Sequence, residues 1–290
     1  MRIGFAGLGV MGGGMCRRLA DSGLTVAAFD IDAEMTRRAA EHEGVVAAPE
    51  AAGVAAPVVI TMLPDGAAVR QVADALLPHL APGSLIIDTS SSAPESTLEL
   101  AELAARWEVS VVDAPVSGSP AAARGGELTL MAAGGRDALD RAEPVLRRLG
   151  TVHRVGPTGA GHALKALNNL LSAINMAAVA EVMLAGGAFG LEPATMLEVI
   201  NSSTGRNHAS QTKLPDHVLT GTFDSGFALR LMLKDIRIGT ALEEQAGGPA
   251  LFGSVCRQLW QQAESALPAD ADNVEVIRWL EAAAGRELRA

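Results

Sequence analysis

The first twelve residues constrain the fold of this chain more than any other stretch. Arg2 to Ala6 reads as a short strand, Gly7-Leu8-Gly9-Val10-Met11-Gly12 follows at once, and a helical segment through Arg17 and Leu19 comes next. Closely spaced glycines between a strand and a helix let a charged group approach the backbone. It then meets the N–H groups at the helix N-terminus, where the helix dipole favours negative charge. A second strand-like run, LTVAAFD, ends at Asp30. An acidic residue about 20 positions beyond such a loop can accept hydrogen bonds from ribose hydroxyls. Together these features predict a dinucleotide-binding turn, with Gly7, Leu8, Gly9, Val10, Met11, Gly12 and Asp30 as cofactor-binding residues. Asp30 would repel a 2′-phosphate, and Ile31 and Asp32 bring no arginine to neutralise one, so NAD is favoured over NADP. Arg37 or Arg38, a turn or two into the next helix, is the group able to fold back and reverse that preference.

Further β-branched runs, PVVITML, SLIIDTS and VSVVDAPVS, alternate with helical segments such as DGAAVRQVADALL. The alternation predicts parallel strands joined by crossover helices, an α/β doubly wound sheet. Two more strands, LTLMAAGG and TVHRVG, flank the helical DALDRAEPVLRRLG, after which the chain reads as all helix. The glycines and proline of GPTGAG end the sheet. The expected domains are 1-158, which binds the dinucleotide, and 159-290, an all-helical substrate and dimerisation domain opening with a long interdomain helix.

Composition then prunes the chemistry. Oxidation of a hydroxyl needs a group to take its proton as hydride leaves carbon. The chain has no tyrosine and two cysteines, Cys16 and Cys256. Tyr-Lys pairs of the short-chain reductase kind are thereby excluded, and a zinc site is implausible, so no metal is expected. The net charge of −10 argues against nucleic acid and anionic membranes and fits a small-molecule partner. Neither a disulfide framework nor a signal-peptide pattern is evident, which predicts a cytoplasmic protein. The apolar run from 163 to 187 is interrupted by Lys165, Asn168, Asn169, Ser172, Asn175 and Glu181 and reads as a helix buried in protein, not a membrane span.

Of the 23 basic residues only Lys165, Lys213 and Lys234 are lysine. Arginine keeps its proton in a protein, whereas a desolvated lysine can release one, so a lysine within an apolar helix is a candidate acid or base. Lys165, Asn169 and Ser172 fall at i, i+4 and i+7, a polar stripe that a substrate hydroxyl or carboxylate could pair with. The plainer readings are a lysine stem that reaches the surface and asparagines that bond neighbouring backbone. Among the histidines, His162 and His208 are the reserve candidates for proton transfer.

Four segments, GFAGLGVMGGGM, DAPVSGSPAAARGGEL, GAGHALKALNN and FALRLMLKD, occur in an order that resembles the β-hydroxyacid dehydrogenase family. That group contains 3-hydroxyisobutyrate dehydrogenase and tartronate semialdehyde reductase and is distantly similar to 6-phosphogluconate dehydrogenase. TMLPDGAAV and IIDTSSSAPEST resemble its cofactor and active-site loops, which adds Met62, Leu63 and Pro64 on the cofactor side. The resemblance implies that Lys165 is the catalytic acid/base and that Asn169 orients the substrate. It further implies that Ser117 and Gly118, with Ser119, hold the substrate carboxylate, and that Ser91 faces nicotinamide or substrate. Lys234 corresponds to a second lysine beside the cofactor; its alternative is an ion pair with Asp235. Ser119 and Ala121 stand where the family usually has glycine, which re-shapes the acyl side of the loop.

The implied reaction is NAD-linked interconversion of a small 3-hydroxy acid and its semialdehyde or 3-oxo acid, in a homodimer or homotetramer. A tartronate semialdehyde reductase or another small aldehyde-acid reductase is the neighbouring alternative. Imine reductases share the architecture but commonly lack the lysine. A non-catalytic dinucleotide sensor would keep the glycine loop and Asp30 yet have no use for Lys165, Asn169 and the DAPVSGS loop together.

Overall fold

The computed structural model describes residues 1–289. Contacts divide the chain into two compact units, Met1–Lys165 and a second beginning at Ala166.

In the first unit, β1 (Arg2–Ala6), β2 (Thr25–Phe29), β3 (Val45–Ala47), β4 (Val58–Thr61), β5 (Leu85–Asp88) and β6 (Ser110–Asp113) pair in the order β3-β2-β1-β4-β5-β6. Every neighbouring pair among these six is parallel. β4 and β5 are buried at every position because helices cover both faces. Side chains alternate accordingly. Ile60 and Ile87 join one apolar cluster with α1 (Val10–Asp21), whereas Val59 and Ile86 join another with α3 (Gly66–Leu76) and α4 (Pro94–Ala105). The strand order reverses between β1 and β4, and a doubly wound sheet binds its ligand in the crevice beyond the strand ends at such a point. Gly7 follows β1 there and Met62 follows β4.

The structure adds three details to the sequence reading. β3 is a three-residue edge strand, too short to stand out as an apolar run. VSVVDAPVS is not one strand: it yields β6 and the separate β7 (Val116–Ser117), with Pro115, which has no N–H to donate, at the break. The sheet is also not parallel throughout. β8 (Leu128–Ala133) runs antiparallel to β6 and β7, while β9 (Gly150–Gly156) runs parallel to β8. Between β7 and β8, α5 (Pro120–Gly125) packs on α1, with Ala123 and Arg124 against Gly14. After β8, α6 (Arg136–Leu146) leads to β9.

The second unit is helical: the greater part of α7 (Ala160–Phe189), then α8 (Pro193–Ser202), a wide-turn π-helical segment (Ala209–Val218), α9 (Leu229–Gln245), α10 (Leu251–Ala266) and α11 (Glu275–Ala284). Trp260, Leu233, Ile236, Met183 and Ile277 lie in its core. Helix α7 is long and apolar enough to cross a membrane by length and composition alone, and half of its most apolar window is buried within the protein. Its first turn packs with the sheet unit, because Asp113 Oδ1 accepts from Gly159 N and Oδ2 from His162 N, at 2.9 and 3.0 Å. The units therefore divide after Lys165, beyond the GPTGAG turn.

Candidate active site

The glycine loop has the form an anion cradle requires. Gly7 has φ +99°, and a Cβ there would lie 2.2 Å from the Met62 carbonyl oxygen. At Gly12 a Cβ would lie 2.0 Å from the Gly7 carbonyl oxygen, so the helix meets the loop backbone to backbone. At Gly9 nothing lies within 4 Å of that position. No side chain caps α1 and no acidic residue occupies its first turn, which leaves its leading N–H groups open to an anion. These residues fit a dinucleotide pyrophosphate.

The loop residues play different parts. Leu8 is buried in the core, and its N–H donates to Asp30 Oδ2 at 2.6 Å, while Val10 is exposed. Asp30 Oδ1 accepts from Asp32 N at 2.9 Å. Asp30 thus fixes the glycine loop, and each oxygen keeps a lone pair for a further donor. Arg37 bridges Glu34 and Glu41, and Arg38 pairs with Glu34. The two guanidiniums draw the Glu34 carboxyl down to about 2. Met62 N donates to the Ala6 carbonyl, and Leu63 N to Ser90 Oγ at 2.9 Å. Pro64, beside them, is exposed.

The DTSSS loop is built on buried polar groups. Asp88 and Asp113, the last residues of β5 and β6, are 1% and 0% exposed. Asp88 Oδ1 accepts from Thr61 Oγ1 and Ser90 N, at 2.8 and 3.0 Å. Burial pushes the Asp113 carboxyl above its usual range, a rise opposed by His162 and by the Gly159 and His162 amides. Ser91 is half-buried on this loop. Ser117 ends β7 half-buried, and Gly118 and Ser119 are exposed. Ser119 caps α5, its hydroxyl accepting from Ala122 N at 3.2 Å, with Pro120 at the first helical position. The serine in place of glycine therefore has a structural use.

Lys165 is half-buried on α7, with Asn169 one turn later and buried. Asn169 does not bond neighbouring backbone. Its Nδ2 donates to Asp235 Oδ2 at 2.6 Å, and its Oδ1 accepts from Asn168 Nδ2 at 3.3 Å. Asp235 is 2% exposed, and its Oδ1 lies 3.5 Å from Lys234 Nζ, so the ion pair weighed for Lys234 is present. Sequence reasoning treated Asp235 only as a counter-ion. The signal was an acid between Leu233 and Ile236, both fully buried, on a face that buries a charge only if it is paired.

Both reserve histidines are engaged. His162 is 1% exposed and both ring nitrogens have partners, Thr97 Oγ1 and the Ser90 carbonyl. His208 contacts Thr212 Oγ1, and burial together with Lys213 holds its imidazole below the usual range. Burial pushes the Cys16 and Cys256 thiols up to about 12, which leaves both as inert core residues.

Residues 2–159 match the family described as the NAD binding domain of 6-phosphogluconate dehydrogenase. Residues 159–280 match the NAD-binding family of NADP-dependent 3-hydroxyisobutyrate dehydrogenase. The chain is 35% identical to a 2-(hydroxymethyl)glutarate dehydrogenase of Eubacterium barkeri, over 90% of this chain and 88% of that protein. It is also 35% identical to a 3-hydroxyisobutyrate dehydrogenase of Pseudomonas aeruginosa, over 89% and 90%. Among solved structures, the 3-hydroxyisobutyrate dehydrogenase of Mycobacterium tuberculosis with L-serine superposes with a TM-score of 0.88 at 33% identity, covering 96% of this chain and 98% of that one. With a glycine loop shaped for a pyrophosphate, a lysine and a pinned asparagine one turn apart, and relatives matched over nearly their full length, this chain belongs to the β-hydroxyacid dehydrogenase family of NAD(P)-dependent oxidoreductases.

Proposed function

We propose that the protein oxidises a small 3-hydroxy acid to its semialdehyde or 3-oxo acid, reversibly, with NAD, and that 3-hydroxyisobutyrate or a close analogue is the substrate. One observation carries the reading: Lys165 stands one turn before an asparagine whose amide is pinned by a buried carboxylate, in a chain with so few lysines. NAD, held on the glycine loop of Gly7, Gly9 and Gly12, would supply the hydride acceptor for the substrate carbon. Lys165 takes the hydroxyl proton in that direction and returns it in the other. Asn169, oriented by Asp235, has amide hydrogen-bonding capacity left for the substrate. The turn through Ser117, Gly118 and Ser119 offers backbone N–H groups and the Ser117 hydroxyl to the carboxylate. Ser91 faces the substrate or nicotinamide side, and Lys234 steadies Asp235.

The test is NAD reduction with a panel of 3-hydroxyisobutyrate, 2-(hydroxymethyl)glutarate, serine, glycerate and threonate. Turnover of one acid well above the rest identifies the substrate. NADH binding without turnover of any of them would support the sensor instead.

NAD preference rests on Asp30 and on Arg37 and Arg38, whose guanidiniums are engaged by glutamates of their own helix. Asp30→Ala is expected to narrow the NAD over NADP ratio in kcat/KM and to weaken both cofactors, because the Leu8 amide loses its acceptor. A wild type that prefers NADP would overturn the role given to Asp30. For the carboxylate, Ser117→Ala is expected to raise KM for the hydroxy acid roughly 10- to 150-fold, the equivalent of about 1.5–3 kcal/mol for one hydrogen bond to a charge, with NADH affinity unchanged. Neutral hydroxy esters proving as good as the acids would exclude this carboxylate site.

The proposed assembly is a homodimer or homotetramer, and the outer face of α7 supports it. Leu164, Leu167, Leu171, Val182 and Phe189 are exposed along it, an apolar stripe suited to a second copy. Two unpaired buried thiols suit a reducing compartment such as the cytoplasm.

A further inference from the structure

We infer that His162 is a positioning residue, a latch that fixes the helix turn carrying Lys165 against the loop carrying Ser91 and, through that loop, against the cofactor segment at Leu63. The inference rests on the proposed role of Lys165. Its structural basis is a continuous set of hydrogen bonds within the first unit. His162 Nε2 lies 3.1 Å from the Ser90 carbonyl oxygen. A carbonyl only accepts, so Nε2 carries a hydrogen and donates it. Nδ1 lies 2.6 Å from Thr97 Oγ1 on α4. Ser90 in turn accepts from Leu63 N through its hydroxyl and donates its own N–H to Asp88. The His162 N–H donates to Asp113 Oδ2. One imidazole thus ties α7, α4 and the DTSSS loop together, and Ser90 extends the tie to the loop after β4.

Burial gives the latch its rigidity. Thr97, Ser90, His162, Asp88 and Asp113 are each at most 1% exposed, so no water replaces a lost partner. The His162 ring also sits between two carboxylates, 3.8 Å from Asp88 Oδ2 and 4.0 Å from Asp113 Oδ2, which restrict its rotation. With both nitrogens occupied, His162 has no atom left for a substrate. It acts through Lys165, less than one helical turn further on, and through Leu63.

Two substitutions separate this role from general stabilisation. In His162→Gln the amide reaches the place of Nε2 and can still donate to Ser90. In His162→Asn it stops at the place of Nδ1, keeping the Thr97 contact and losing Ser90. Both disturb a buried network, so both should lower Tm to a similar degree. His162→Gln is expected to hold kcat within about threefold of wild type. His162→Asn is expected to lose at least about tenfold in kcat and to bind NADH several-fold more weakly, since a small misplacement at a reacting centre is costly. Wild-type kcat and NADH affinity in His162→Asn would overturn the inference, as would equal losses in both variants that track Tm.

Should His162→Asn fail to fold, Ser90→Ala carries the test. It removes the acceptor of Leu63 N while leaving the carbonyl that His162 binds, and it should weaken NADH; unchanged affinity there sinks the latch. NADH affinity, read by ligand fluorescence, does not require the right hydroxy acid. A wild type inactive on every acid tested would defeat the proposed reaction while the NADH comparison still decides the latch.

Discussion

Lys165→Arg is expected to lower kcat by about 10²–10⁴-fold, the usual contribution of a general acid–base group, while NADH affinity and Tm change little. Arginine preserves the positive charge and most of the stem, so packing and the local field survive. What it loses is the capacity to give up a proton at working pH. In the oxidation direction the wild type should lose activity as pH falls, because protonated Lys165 cannot accept the hydroxyl proton, and the arginine variant should lack that limb. Near-normal kcat in Lys165→Arg would reduce the lysine to a charge or a packing stem. Neither reserve histidine then offers an easy replacement: His162 is enclosed with both nitrogens engaged, and His208 is tied to its own segment through Thr212.

Gly9→Ala should weaken NADH by about 10–100-fold, equivalent to about 1.4–2.8 kcal/mol, without lowering Tm. The protein itself has room for the methyl group, since nothing lies within 4 Å of the new Cβ and φ is −57°. The ligand does not, because the second glycine of such a loop allows the backbone to approach the pyrophosphate. Gly12→Ala is the contrasting case. Its Cβ would meet the Gly7 carbonyl at 2.0 Å, so α1 must shift, and both Tm and NADH affinity should fall. Fluorescence titration of NADH beside thermal denaturation distinguishes the two. Wild-type affinity in Gly9→Ala would mean that the pyrophosphate does not lie on this loop.

The sequence made the sheet unit legible because its signals are local. Strand, glycine loop and helix follow one another within twelve residues, and strands buried on both faces appear as unbroken apolar runs such as VVIT. The same locality explains the shortfalls. A three-residue edge strand leaves little pattern, and the direction of β8 depends on a turn through α5 that hydrophobic spacing does not encode. On α7, periodicity alone put Lys165 and Asn169 one turn apart. It could not say what holds the asparagine, because its partner Asp235 lies 66 residues further along the chain.

The sequence by itself determined the fold class, the dinucleotide turn and the candidate lysine, since each is written in neighbouring residues or in a helical repeat. Only the tertiary structure decided that Asp30 fixes the Leu8 amide, that Ser119 caps a helix, and that Asp88, Asp113, His162 and Ser90 form one buried network. The reason is desolvation. A polar side chain removed from water must be paired, and which groups pair depends on what the folded chain brings within about 3 Å, a matter on which the order of residues is silent.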